Sequence, residues 1–126
     1  MHIQRLLTNI CSTNLPKSQH FYTQLFHFKV NFESDWFVQL VSEDKGFELG
    51  IIQQDHAVVP EGARMNPQGF YLTFVVADAD RLFATAEAEG FEIVAPPEDT
   101  FYGQRRLLLR DPDGTLVDIS SPISNG

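Results

Sequence analysis

The sequence predicts an α+β fold: two tandem βαβββ units whose curled mixed sheet surrounds a groove, with the helices on the outside. Three observations carry this expectation. Across 126 residues the order strand, helix, three strands can be read twice. The spacing agrees between halves, since Leu7 lies 21 residues before Phe28 and Tyr71 lies 20 before Phe91. A stretch at 54–69, QDHAVVPEGARMNPQG, carries two prolines and two glycines and parts the halves. The expected units are about 1–57 and 68–126, with a linker at 58–67, in one domain spanning 1–126.

The elements follow in order. Residues 5–11, RLLTNIC, read as a first strand. Asn14 is suited to cap a helix, and Pro16 tolerates its first turn because the missing N–H would have no partner there. Leu15, Phe21, Tyr22, Leu25 and Phe26 mark one broad apolar face across 15–26. Strands are expected at 28–32, 36–41 and 47–52, with a turn at 42–46. The second half begins with a strand at 70–76, then a helix from Asp78 to Glu89 that Gly90 ends. A strand at 91–94 is expected to stop at Pro96-Pro97. Strands at 105–110 and 115–120 flank the turn DPDG at 111–114. Half a chain of this size buries its helix and sheet poorly alone, so the two halves together enclose a groove where a ligand would bind.

Composition narrows the function. A net charge of −8 disfavours nucleic acid and anionic membranes as partners and is compatible with a cationic ligand. Cys11 is the single cysteine, which excludes a disulfide framework and a four-thiolate metal site and suggests the cytoplasm. The opening residues lack the apolar core of a secretory signal, and no apolar run is long enough to span a membrane. Eleven phenylalanines, three tyrosines and one tryptophan provide rings for a core or a pocket wall.

Strand alternation selects candidate site residues. Phe47, Leu49 and Ile51 share one face of their strand, and Glu48, Gly50 and Ile52 the other. Val117 and Ile119 likewise oppose Leu116, Asp118 and Ser120. With the apolar faces under the helices, Glu48 and Asp118 point to the groove as opposed carboxylates. They are either an acid–base pair or groups bound to an arginine and to hydrogen-bond donors. The matching positions on the first strands carry Leu7 and Tyr71, and leucine cannot ligate a metal. His2, His20, His27 and His56 have neither the spacing nor the strand positions of a metal site, and His20 and His27 read as surface or cap residues. No G-x-S-x-G elbow, phosphate loop or C-x-x-C is present, and Cys11 reads as a buried, inert thiol. In Tyr102-Gly103-Gln104-Arg105-Arg106 the adjacent arginines face opposite ways. Arg105 is the expected counter-charge to the carboxylates, with Arg106 taking that place if the register slips by one. Phe101, Tyr102, Trp36 and Phe37 either wall a pocket for a flat or cationic molecule or serve as core and dimer filler.

NLPKSQHFYTQLFHFKV at 14–30 resembles the first helix and following strand of the glyoxalase, bleomycin-resistance and extradiol-dioxygenase superfamily, the vicinal oxygen chelate proteins. YGQRRLLLRDPDGTLVDI at 102–119 resembles its C-terminal signature more closely. The resemblance implies paired βαβββ units and a homodimer. It places the metal-ligand positions of metal-dependent members at Leu7, Glu48, Tyr71 and Asp118, where two carboxylates and no histidine stand. No metal or other cofactor is therefore expected, a divalent ion being the minor alternative. The metal-free bleomycin-resistance branch, small acidic dimers that sequester a cationic drug, is the nearest in character. The expected function is sequestration of a small, partly aromatic or cationic compound, with Trp36, Phe37, Tyr71, Phe101, Tyr102 and Arg105 as ligand-binding residues. The alternative is a glyoxalase-like lyase or isomerase, or a dioxygenase. It would use a degenerate metal site, or Glu48 and Asp118 as metal-free catalytic residues.

Overall fold

Asn14 starts the first helix as its residue type suggests. Its Oδ1 accepts the Lys17 N–H at 3.1 Å, and Pro16 occupies the first turn. Helix α1 spans Leu15–Phe26 and ends where His27 turns left-handed at φ 56°, its N–H bonded to Thr23 O. The computed structural model describes residues 2–44 and 46–123, which form two helices and eight strands. They fall into two compact units, Met1–Pro67 and Gln68–Gly126.

In the first unit β1 (Thr8–Ser12), β2 (Lys29–Glu33), β3 (Phe37–Val41) and β4 (Glu48–Gln53) form a four-stranded sheet in the order β1-β4-β3-β2. β1 runs parallel to β4, and the other neighbours are antiparallel. Helix α1 packs on β3 and β4. Leu15, Phe21, Tyr22 and Leu25 from the helix and Ile10, Val38, Leu40, Leu49 and Ile51 from the sheet are buried together. Burying a side chain of this kind contributes about 1.5–3 kcal/mol, so this layer holds the unit. β2 is exposed along its length and carries a bulge between Val30 and Phe32, as suits an edge strand.

The second unit repeats the plan. β5 (Tyr71–Val75), α2 (Ala79–Glu89), β6 (Glu92–Asp99), β7 (Gln104–Arg110) and β8 (Leu116–Pro122) give the sheet order β5-β8-β7-β6. Asp78 caps α2 through the Arg81 N–H at 3.2 Å, and Gly90 closes it at φ 74°. Ser121 Oγ accepts the Ala79 N–H at 3.1 Å, which ties the start of α2 to β8. Leu107, Leu109, Val117 and Ile119 are fully buried.

The fold is α+β with two tandem βαβββ units, as expected, in two four-stranded sheets, one in each unit. Three local expectations need correction. The first strand begins at Thr8, so residues 5–7, Leu7 included, precede it. β6 does not stop at Pro96-Pro97 but runs through to Asp99. It is an edge strand, and the break in register between Ala95 and Glu98 accommodates two residues without an N–H. Within the expected linker, Glu61–Ala63 forms a 3-10 turn and Val59 is buried against Cys11 and Ile52. Arg64 fastens this segment through Nε to Val59 O at 2.7 Å. No helix among the described residues is long and apolar enough to cross a membrane.

Candidate functional site

Each sheet turns one face to its helix and leaves the other without one. On the helix-free face of the first unit lie Glu48 and Gly50 of β4, Phe37 and Gln39 of β3, and Asn9 and Cys11 of β1. The register places Asn9 and Gln39 on either side of Gly50. A Cβ on Gly50 would lie 2.3 Å from Asn9 Oδ1 and 3.0 Å from the Phe37 ring, so glycine is what lets those side chains close over the strand.

Glu48 is the polar centre of this face. Arg5 Nε donates to Oε2 at 2.7 Å and Arg5 Nη2 to Oε1 at 2.6 Å, a two-pronged ion pair. Gln39 Nε2 donates to the same Oε1 at 2.8 Å, and Asn31 Nδ2 donates to Gln39 Oε1 at 2.9 Å. The Glu48 side chain is 14% exposed and that of Arg5 57%. The hydrogen bond from Arg5, then that from Gln39, holds the Glu48 carboxyl at a pKa of about 2, against the opposing effect of desolvation. Residues 2–7, which carry Arg5, belong to no helix or strand. A cleft of about 490 Å³ lies beside the pair, lined by Ile3–Leu6, Thr8 and Gly46–Glu48.

The aromatic residues lie towards the other end of the face. Phe37 has Trp36 at 5.8 Å and Phe32 at 6.4 Å between ring centroids. Trp36 stacks on His56 at 4.0 Å and 10°, and His56 Nδ1 accepts the Val58 N–H at 3.1 Å. The Cys11 thiol is buried and bonded to Ala63 O at 3.2 Å, consistent with an inert role.

The second unit has a different polar centre. Asp118 Oδ2 accepts Thr73 Oγ1–H at 3.1 Å, and Oδ1 accepts Ser120 Oγ–H at 2.8 Å. Arg106 Nε stands 3.4 Å from Asp118 Oδ1, close enough to pair charges but too poorly aligned for a hydrogen bond, and its N–H is buried without another partner. Arg105 was the expected counter-charge, and the structure corrects this. The β7–β8 register sets Arg106 opposite Ser120 and Leu108 opposite Asp118, so Arg106 shares their face and Arg105 points to the other. Arg105 donates instead to Asp80 at 3.0 and 3.2 Å and to Asp99 at 3.0 Å. Those carboxylates raise its pKa.

Of the expected ligand-binding residues, Trp36 and Phe37 come together with Glu48 on one sheet face. Tyr71 opens β5 and is half exposed on the face of Thr73 and Asp118. Phe101 is 99% exposed and Tyr102 half exposed in the β6–β7 turn, their rings edge to face. Arg5, Gln39, Asn31, Thr73 and Ser120 were not anticipated. A polar residue inside an apolar strand, Gln39 in FVQLV or Thr73 in YLTFV, was the available signal, whereas nothing local marks Arg5.

The four positions at which the resemblance places metal ligands do not fit a metal. Leu7 and Glu48 give the first unit one donor, already held by Arg5, and Tyr71 and Asp118 give the second a phenol and an arginine-paired carboxylate. Among the described residues no three histidine, cysteine, aspartate or glutamate side chains are grouped to hold an ion.

The Arg5–Glu48 pair gives the stability a definite acid dependence. Folding depresses the Glu48 pKa from 4.5 to about 2, so the folded state favours the ionised form. This contribution is complete above about 4.5 and is lost as pH falls through about 2. In urea titrations between pH 5 and 2, Arg5→Ala is expected to lack this part of the wild-type acid loss. Parallel pH profiles for the two proteins would show that the pair does not hold in solution.

The comparisons with known proteins come to the same architecture. No curated protein sequence matches the chain. A family enzyme from Burkholderia phytofirmans PsJN, described as glyoxalase/bleomycin resistance protein/dioxygenase, is similar at 22% identity and a TM-score of 0.78, covering 93% of this chain and 97% of that one. A superfamily member from Sphaerobacter thermophilus DSM 20745 is similar at 22% identity and TM-score 0.75, covering 91% and 94%. TioX from Micromonospora sp. ML1 is similar at 18% identity and TM-score 0.72, covering 98% and 99%. Likenesses this distant establish the fold alone. The family model described as Glyoxalase/Bleomycin resistance protein/Dioxygenase superfamily matches residues 2–119, and the chain belongs to that superfamily.

Proposed function

We propose that this protein binds and sequesters a small organic cation with an aromatic part, without a metal or other cofactor. The observation that carries the reading is Glu48, a carboxylate held by Arg5 and Gln39 on the same sheet face as Phe37 and Trp36. A carboxyl with a pKa of about 2 is ionised at neutral pH and is a weak proton acceptor. It is therefore better suited to pairing with a cation than to general-base catalysis. The rings further along the same face offer stacking and cation–π attraction to the aromatic part of such a ligand, and the net charge of −8 favours approach of a cation over that of an anion. Nucleic acid and anionic membranes are disfavoured as partners on the same ground, and a cytoplasmic location accords with a lone, buried cysteine. A homodimer is the proposed assembly. Tyr71 and Val75, 54% and 68% exposed on a helix-free sheet face, and the fully exposed Phe101 are apolar surface that a second copy would cover.

The test is calorimetric titration of the full chain with matched pairs: benzamidine against benzamide, and N-methylquinolinium against quinoline. Saturable binding of the cations, at least tenfold tighter than that of their neutral counterparts, is expected. Equal affinity for both members of each pair, or chemical conversion of a bound compound, would overturn the reading.

A further inference from the structure

The Arg5–Glu48 pair is built more elaborately than a surface ion pair requires. An exposed pair contributes little to stability, yet here two amides stand behind the carboxylate: Gln39 donates to Glu48 and Asn31 to Gln39. This chain fixes the orientation of the carboxylate, so both oxygens meet a planar two-pronged donor. The donor itself comes from outside the sheet. Arg5 is more than half exposed, it sits in a segment outside every helix and strand, and its neighbours Ile3 and Leu6 are 87% and 80% exposed. The acceptor thus stands on the sheet, backed by two amides, and the guanidinium comes from a segment outside it. The cleft beside them has room for the remainder of a small molecule.

We propose that Glu48 and Gln39 form a receptor for a guanidinium or amidinium group, and that the chain's own Arg5 fills it until a ligand bearing such a group displaces it. This rests on the cation-binding reading and narrows its ligand class. Two properties follow. The fork of a guanidinium matches a carboxylate that an ammonium meets only as a point charge. And Arg5, tethered a few residues before β1, competes at a high effective concentration, so wild-type affinity is reduced by the fraction of molecules in which Arg5 is seated.

The test uses methylguanidinium and methylammonium at low millimolar concentration, with binding read by calorimetry and folding by circular dichroism. Arg5→Ala is expected to bind methylguanidinium at least tenfold more tightly than wild type and at least fivefold more tightly than it binds methylammonium. Adding Glu48→Gln to Arg5→Ala is expected to abolish that binding. Arg5→Lys, which keeps the charge but not the fork, is expected to lie between wild type and Arg5→Ala, and it carries the comparison if Arg5→Ala does not fold. Variants no tighter than wild type, equal affinity for the two probes, or binding that survives Glu48→Gln would each overturn the receptor. If N-methylquinolinium still binds wild type under any of these outcomes, the guanidinium receptor falls and the broader cation-binding function stands. If N-methylquinolinium does not bind while methylguanidinium behaves as expected, the receptor stands and the broader reading loses its aromatic part.

Discussion

Asp118→Ala is expected to destabilise the protein by about 3 kcal/mol, measured as a shift of the urea midpoint at unchanged m. The carboxylate is 5% exposed and has three neighbours on one sheet face: Thr73, Ser120 and Arg106. Removing it strands the Arg106 charge and leaves two hydroxyls without their acceptor. Ser120 is buried and the Arg106 Nε–H is buried without a hydrogen-bond partner, so these two groups left alone set the size of the effect, whereas the exposed Thr73 hydroxyl can turn to water. Asp118→Asn keeps an acceptor for Thr73 and Ser120 and loses only the charge, so about half the loss is expected. Asp118→Leu combined with Arg106→Leu removes both charges and is expected to recover much of the stability that Asp118→Leu alone loses. A loss below about 0.5 kcal/mol for Asp118→Ala would show that the side chain is not held as described.

The two carboxylates, expected as an opposed pair, have different surroundings. Glu48 lies under a half-exposed arginine from outside the sheet, whereas Asp118 is fixed by residues of its own sheet. The first arrangement involves a donor from outside the sheet, whereas the second is closed by side chains of the sheet itself. On the proposed reading, ligand exchange would take place at Glu48, and Asp118 would serve mainly the integrity of its unit.

What was legible in the sequence was local. Asn14 with Pro16, and Asp78 with Gly90, set the bounds of both helices to within a residue, because capping depends on neighbours along the chain. Period-two alternation placed Glu48 and Asp118 away from the helices for an equally local reason. The illegible features are all set by pairing between distant segments. Pro96-Pro97 ends a strand by propensity, but β6 has a free edge and a shifted register to absorb them. The two arginines of β7 could be told apart only from the register of β8, since a slip of one residue exchanges their faces. Arg5 reaches across 43 residues to Glu48, and nothing in its own surroundings records that contact.

The DPDG turn at 111–114, part of the C-terminal signature, is expected to prove structural, with Asp111→Ala costing about 2–4 kcal/mol. Asp111 is 4% exposed, and its Oδ1 accepts the N–H groups of both Asp113 and Thr115 at 2.9 Å. The donors are themselves buried, with Asp113 6% and Thr115 1% exposed, so neither N–H can turn to water once the carboxylate is gone. The backbone closes the same turn: Asp111 N–H donates to Thr115 O at 2.9 Å and Gly114 N–H to Asp111 O at 3.0 Å, with Gly114 at φ 91°. That dihedral suits glycine and strains any residue with a Cβ. The turn joins β7 to β8, and those strands carry Arg106 and Asp118, so its geometry sets the register on which their pairing depends. Asp111→Asn retains one acceptor oxygen and is expected to lose no more than about 1 kcal/mol. Urea titration of the two variants separates the cases. Equal losses for alanine and asparagine would mean that the charge of Asp111, rather than the two hydrogen bonds, holds the turn. If the turn acts only on structure, ligand affinity per folded molecule will be unchanged in Asp111→Asn, and a fall of tenfold or more at full folding would instead place this motif in the binding machinery.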